Sequence, residues 1–385
     1  MKVLQRYVGR EVMQSVAFVL IAFLALFAFI DLSGESQSIG KGAYRFQHAF
    51  LYVLSGLPAY VYDAMPIAAL IGTVYALAQL AARSEFTIMR ASAMSTWQAA
   101  RMLMRIGVLF ALITFAFGEF IAPASTLWGQ RMRQSLLDAS SKLEFRSGIW
   151  TKDIIKDKDG KAQGTRFLNV RESRPDGQLL GLKLYEFDHE FRLMAQISAD
   201  SARYQGQHTW RLQNVTETRF EAAARSGQWA QMQPQAQQMQ LVSVKQEAQR
   251  DLHTELTPQL LTVLRATDPD RMSAWDLALY SNHLEENRQD NQRYSIAFWK
   301  KLTYPLAVFV MMALALPFAY LQVRSGGVSF KIFIGIMMGI SFQLLNSLFS
   351  TLGLLHAWPA VLTALAPSAV FLMLAAAALR WVQRH

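Results

Sequence analysis

The chain contains no cysteine in 385 residues. Disulfides, Cys-ligated zinc, iron–sulfur clusters and thiol nucleophiles are therefore excluded. Any exported part must hold together by packing and hydrogen bonds alone. Charge is scarce as well: Asp, Glu, Lys and Arg make up 17% of the residues, against about 25% in ordinary domains. Hydrophobic residues reach 52%. They collect in long runs at both ends of the chain, and the charges collect in the middle. That distribution excludes a single soluble globule and an intrinsically disordered chain.

Recognisable catalytic patterns are missing too. Gly40-Lys41 fails as a P-loop, because Gly34 lies one residue too far upstream and Gly42 stands where Ser or Thr should follow the lysine. There is no HExxH and no GxSxG. The seven histidines are scattered and suggest no metal site. Asp157-Lys158-Asp159-Gly160 lacks the downstream glutamate of a calcium loop and reads as a solvated turn.

What is there is membrane-like. Val12 to Ile30 is an unbroken apolar run, about 30 Å long as a helix, the thickness of a bilayer core. It is too long for a signal peptide and ends without a small-x-small site. Further runs lie at Leu51–Ala82 (with Pro58, Asp63 and Pro66), Met102–Ala122 (stopped by Pro123), Ile296–Leu321 (with Pro305 and Pro317), Ile332–Leu355 and Trp358–Leu379. Six spans are expected, three before a polar block and three after it. Between Pro123 and Ile296 there are 23 basic and 22 acidic residues, and the rest holds 15 and 6. The basic excess thus flanks the apolar runs, which favours a membrane over nucleic acid as its partner.

Short-loop Lys and Arg set the orientation. Lys2, Arg6, Arg10, Arg83, Arg90, Arg101, Arg105, Arg324, Lys331, Arg380 and Arg384 fall on one side, which is read as cytoplasmic together with both termini. The block from Pro123 to about Ser295 is then outside. Its short alternating segments, such as Gly164–Val170, Leu182–Phe187 and Thr209–Leu212, are separated by turn signals and predict an antiparallel sandwich or jelly roll. The stretch Gln228–Gln249 is ambiguous. From Thr257 the pattern turns helical, with Asp270 or Ser273 as caps.

Three constellations carry chemistry. Arg83-Ser84-Glu85-Phe86-Thr87-Ile88-Met89-Arg90 mixes charge with apolar residues in a cytoplasmic loop. It reads either as an interfacial helix or as a docking helix, and the acidic Glu85 suits a protein contact. Lys41, Arg45, Arg131, Arg133, Lys300 and Lys301 lie on the side that ordinarily avoids basic residues. Snorkelling explains any one of them; an anionic headgroup would explain the set. Asp63, Glu119, Gln343 and Asn346 are polar groups in or near spans, which ordinarily face protein or a wet cavity.

At these residues the chain resembles the LptF/LptG family of lipopolysaccharide-export permeases, and within it the LptG branch. The resemblance rests on Arg83-Ser84-Glu85 through Met89-Arg90-Ala91-Ser92, Gly118-Glu119-Phe120-Ile121-Ala122-Pro123, Gly148-Ile149-Trp150-Thr151-Lys152-Asp153 and Arg324-Ser325-Gly326. It implies an α-helical polytopic membrane protein with six transmembrane helices and a periplasmic antiparallel β-jellyroll between helices 3 and 4. The expected parts are 1–122, with a cytoplasmic coupling helix near 83–98; 123–295, the jellyroll and a helical connection; and 296–385. The implied setting is the inner membrane of a Gram-negative bacterium.

The resemblance also implies the transport role. An LptF permease, an LptB ATPase dimer and LptC are the expected partners. Lipopolysaccharide is the expected substrate, extracted from the inner membrane and passed to a periplasmic bridge. The chain itself would be no enzyme and hold no cofactor or metal, with ATP and magnesium belonging to the ATPase. Arg83, Glu85, Phe86, Met89 and Arg90 would then couple to the ATPase. Lys41, Arg45, Arg131, Arg133, Lys300 and Lys301 would contact lipopolysaccharide. Family lysines cluster just after the first span, where this chain has Asp31-Leu32-Ser33-Gly34-Glu35. Phe23 and Phe27 of the first span, with Phe342 and Asn346 of the fifth, would line lateral gates shared with the partner permease. The competing classes are a membrane-anchored periplasmic lipid-modifying enzyme and a sensor. The first needs a catalytic cluster in the polar block and the second a cytoplasmic signalling domain; the sequence shows neither.

Overall fold

A computed structural model gives the fold of residues 2–85, 88–89, 96–137, 148–156, 162–174, 177–220, 242–263, 268–320 and 328–384. The chain divides into two units. One comprises Met1–Lys142, Asp268–Ser281 and Asn291–His385, and the other Leu143–Thr267 and Asn282–Asp290.

Among the described residues, the first unit holds six helices long and apolar enough to cross a membrane: Gln5–Ser38, Phe46–Ala82, Trp97–Leu137, Gln292–Tyr320, Val328–Leu355 and Ala360–Val382. Helix α1 (Lys2–Glu35) puts Val8, Val12 and Val16 on one stripe, four residues apart and essentially fully buried. That stripe packs on α2 (Phe46–Ala82), where a Cβ on Gly72 would lie 2.5 Å from the Val16 Cα. The opposite face of α1 carries exposed Phe18, Ile21 and Phe29. Helix α2 is the hub: 78% of its apolar window is buried, against 11% for α1. Its run of Ala68, Ala69, Gly72, Ala76 and Ala78 lets neighbouring backbones come close. Pro58 and Pro66 lie inside this one helix.

The third span departs from expectation at Pro123. Helix α3 (Thr96–Ala116) passes through a π-turn, Phe117–Ile121, and continues as α4 (Ala122–Leu137). In a regular α-helix the proline ring would collide with the carbonyl of the residue four back. The wider π-turn relieves that clash, so the helix survives.

After the β unit come α7 (Gln292–Ala315), α8 (Pro317–Tyr320), α9 (Val328–Leu355) and α10 (Ala360–Arg384). Gly335 and Gly339 of α9 face Val74 and Ile67 of α2. Phe342 of α9 sits edge-on to Phe371 of α10, 5.3 Å between centroids.

The second unit is one six-stranded antiparallel sheet whose strands pair in chain order, as a meander. The strands are β1 (Ile149–Lys156), β2 (Ala162–Ser173), β3 (Gln178–Phe187), β4 (Leu193–Gly206), β5 (Thr209–Phe220) and β6 (Val242–His253). The antiparallel β insert is thus present; a complete jelly roll would interleave strands of two sheets, and the described strands form one. Of the ambiguous glutamine-rich stretch, residues from 242 on are β6, and residues 228–241 lie outside the described residues. Gln207 and His208 both take positive φ, 48° and 58°, which suits the tight β4–β5 hairpin.

One face of the sheet buries Leu168, Leu182, Leu184, Ile197 and Leu212. The chain covers it with Leu256 and helix α5 (Pro258–Val263), and the indole of Trp210 donates to the Leu256 carbonyl at 2.7 Å. At the sheet's edge Thr254 donates to the Asp153 carboxylate at 2.7 Å. Burial pushes Asp153 upward, opposed by Thr254 and Arg166. Nearby His283, buried at 5% exposure, lies on α6 (Ala274–Glu286). Its pKa is lowered by burial, against the pull of Asp153, Glu286 and Glu255.

A depressed histidine pKa means that the unfolded chain takes up a proton before the folded one does. The contribution of His283 to stability is therefore complete above about pH 6.5 and is lost as pH falls below it. Urea unfolding followed by tryptophan fluorescence is expected to show a lower midpoint at pH 5.5 than at 7.5. His283→Gln is expected to flatten that slope, and an unchanged slope would assign it to other groups.

Candidate functional site

The loop after α2 is held by its own chain. Arg83 closes the helix, donating its N–H to the Gln79 carbonyl at 3.0 Å, and Ser84 turns the backbone at φ 62°. Glu85 accepts a hydrogen bond from the Tyr7 hydroxyl of α1 at 2.9 Å. Met89 points inward, 8% exposed, among Val8, Val12 and Leu103. It packs against the core of its own chain. Ile88, 64% exposed, is the outward apolar residue that sequence reasoning left off its set. Phe86 and Arg90 lie outside the described residues.

The six basic residues expected on the outer side separate into two groups. Lys41, Arg45 and Arg131 are exposed, and no described residue forms an ion pair with them. The other three are engaged. Arg133 donates to Glu35 at 3.0 Å, with its guanidinium 5.4 Å over the Tyr52 ring. Lys300 lies 3.7 Å from Asp270. Lys301 is buried, its ammonium 4.9 Å from the centre of the Tyr62 ring. Beside it is a cavity of about 200 Å³, lined also by Asp63, Tyr304, Gln343 and Asn346. The Tyr304 hydroxyl donates to the Asp63 carbonyl at 2.6 Å, tying α7 to α2.

A larger cavity, about 510 Å³, opens where α1, α2 and α4 meet. Asp31, Glu35, Tyr52, Tyr60, Thr126 and Arg271 line it. Tyr60 donates to Asp31 at 3.0 Å, and Arg271 lies 5.4 Å over the Tyr60 ring. In the turn between α1 and α2, burial and the neighbouring Glu35 carboxylate push the Tyr44 phenol up to about 12. Among the described residues no three His, Asp or Glu side chains converge as a metal site.

The expected gate residues contact their own chain, Phe23 and Phe27 half-buried and Phe342 and Asn346 buried. Phe23 stacks on Phe27, and Phe27 on Tyr60 at 4.7 Å, so both pack on their own chain. Phe342 is 1% exposed within the α9–α10 contact, and Asn346 is buried at the cavity wall. The reason is helical phase: the glycine stripe draws this face of α9 onto α2. Exposed apolar side chains on these two helices include Phe18 and Phe29 on α1, and Phe333, Leu344 and Leu348 on α9.

Glu119 has the least expected position. Its carboxylate accepts the backbone N–H groups of Ala274, at 2.8 Å, and Trp275, at 3.3 Å. The Gly118-to-Pro123 pattern carried part of the signal, because a proline within a span favours a local irregularity beside this glutamate.

Comparison with known proteins adds the remaining link. The family described as lipopolysaccharide export system permease LptF/LptG matches residues 6–381. The lipopolysaccharide export system permease protein LptG of Escherichia coli K12 is 30% identical over 373 residues, covering 97% of this chain and 96% of that protein. The protein of the same description from Haemophilus influenzae is 28% identical over 372 residues, 96% of each chain. Six membrane-length helices, a β insert after the third and a family match along nearly the whole chain lead to one conclusion: this chain belongs to the LptF/LptG family of lipopolysaccharide export permeases.

Proposed function

We propose that this chain is the LptG-type half of a permease pair in a bacterial inner membrane. Its partner is an LptF-type permease, a dimeric LptB ATPase drives the pair, and LptC accompanies it. Lipopolysaccharide leaves the outer leaflet of the inner membrane through the pair and passes to a periplasmic bridge. ATP and magnesium reside in the ATPase. The observation that carries this reading is the match over residues 6–381, which takes in both the six spans and the β insert. Purification in mild detergent is expected to recover the second permease, the ATPase and LptC together. A chain that purifies alone, or only with itself, would overturn it.

In this reading Arg83, Glu85 and Ile88 present the loop to the ATPase, with Phe86 and Arg90 completing it. Lys41, Arg45 and Arg131 meet phosphates of the lipid. Lys300 and Lys301 act within the wall of the polar cavity. Arg133 and Arg131 then separate experimentally. Arg131→Glu is expected to reduce photo-crosslinking to lipopolysaccharide without changing the melting temperature, a loss of about 1.5–3 kcal/mol for one charged contact. Arg133→Gln leaves Glu35 unpaired in a mostly buried position and is expected to lower the melting temperature first. Unchanged crosslinking in Arg131→Glu would assign that arginine to snorkelling.

A further inference from the structure

The segment 268–275, by which the chain returns from the β unit, is tied down at several points of the membrane unit. Pro269–Arg271 forms a short 3₁₀ turn, with the Asp268 carboxylate accepting from the Asp270 N–H at 3.1 Å. Ser273 then caps α6, its hydroxyl accepting from the Asp276 N–H at 3.1 Å and donating to the Asp276 carboxylate at 2.7 Å. A cap of this kind satisfies the third N–H of the helix and leaves the first two without an intrahelical acceptor. Those two belong to Ala274 and Trp275, and Glu119 of the third span accepts both. The negative charge also suits the helix start.

Glu119 is aimed there by its own backbone. It is the middle residue of the π-turn Phe117–Ile121, which lets Pro123 stay in the helix. Gly118 beside it presses on the Tyr62 ring so closely that a Cβ would overlap it. The same segment meets α2 through Arg271 over Tyr60, whose hydroxyl in turn donates to Asp31 of α1, and meets α7 through Asp270 and Lys300. Glu119 is the only one of these anchors that holds the connector by its backbone with a charged side chain from the interior of a span.

We propose that Glu119 is a positioning residue for export. It fixes the connector to the third span, so that rearrangements of the spans driven by ATP reach the segment from which the β unit hangs. This rests on the reading above that a partner ATPase drives the permease.

The test uses the whole complex in proteoliposomes loaded with lipopolysaccharide, reading ATP hydrolysis and lipopolysaccharide delivered to a soluble periplasmic acceptor. With Glu119→Ala, delivery per ATP is expected to fall about tenfold, the worth of one charge-assisted hydrogen bond, while hydrolysis stays near wild type. Glu119→Gln keeps an acceptor oxygen and is expected to recover part of the loss. Pro123→Ala lets the span relax to an α register and is expected to lose delivery although Glu119 is intact. In a fourth variant, Glu119→Cys with Trp275→Cys is bridged by a short reducible bis-thiosulfonate, with no native cysteine to interfere. The bridged form is expected to deliver as wild type and the reduced form as Glu119→Ala. Delivery per ATP unchanged in Glu119→Ala would overturn the proposal. So would a bridged pair that delivers no better than the reduced one, or a parallel fall of hydrolysis, delivery and melting temperature, which marks an ordinary helix cap. Absence of ATP-dependent delivery in the wild type would instead sink the transporter reading itself.

Discussion

Glu85→Lys is expected to abolish export and release the ATPase while the chain still inserts and folds. The loop after α2 is short, and Glu85 is its one acidic residue beside Arg83 and outward-facing Ile88. In the coupling role proposed above, the Glu85 carboxylate would meet basic groups of the ATPase, and lysine there would set like charge against like. Truncating one partner of such an interfacial pair costs about 2–5 kcal/mol, and reversal costs more. The Tyr7 hydrogen bond supplies the control. Tyr7→Phe removes the contact within the chain and leaves the charge. It is expected to leave the melting temperature nearly unchanged and keep the ATPase bound. Pull-down of the ATPase and an export assay check both variants. Normal pull-down and export in Glu85→Lys would sink the coupling role.

The second large effect concerns the outward face of α1. A cysteine at position 29, crosslinked to a cysteine on the fifth span of the partner permease, is expected to arrest export, and reductant is expected to restore it. Phe29 and Phe18 are 73% and 74% exposed, whereas Phe27 is stacked on Tyr60 of its own chain. A cysteine at 27 is therefore expected to give little crosslink. On α9 the corresponding outward position is Leu344 rather than Phe342. Bulky apolar side chains on both faces let the helices part into lipid without exposing backbone groups, because a helix satisfies those internally. Efficient crosslinking at 29 with export at the normal rate would place the gate elsewhere.

The spans were legible because twenty or so apolar residues in a row have few other uses, and the β insert was legible from its turn signals. What escaped the sequence was direction. Periodicity puts Phe27 and Phe29 on the same span but does not say which faces α2; that depends on Gly72 admitting the Val16 backbone. Arg131 and Arg133 look alike as a basic pair, yet only Arg133 meets Glu35, 98 residues away in the chain. Met89 reads as a docking residue until Val8 and Leu103 are seen around it. Pro123 reads as a helix end, and ordinarily would be, but the π-turn absorbs its ring. Each miss comes from a long-range packing choice that local pattern does not encode.

The burial of α2 has a consequence for how the protein is made. Its partners α7 and α9 are synthesised only after the β unit, about 200 residues later, which at ribosomal rates of about 5–20 residues per second is some tens of seconds. During that interval α2 lies in the bilayer with its alanine-rich face, and Ser55 and Thr73 on it, covered only by α1 and the third span. The nascent chain therefore passes through a half-built membrane domain with an open seam, and that is the stage at which an insertion chaperone or a quality-control protease has something to grip.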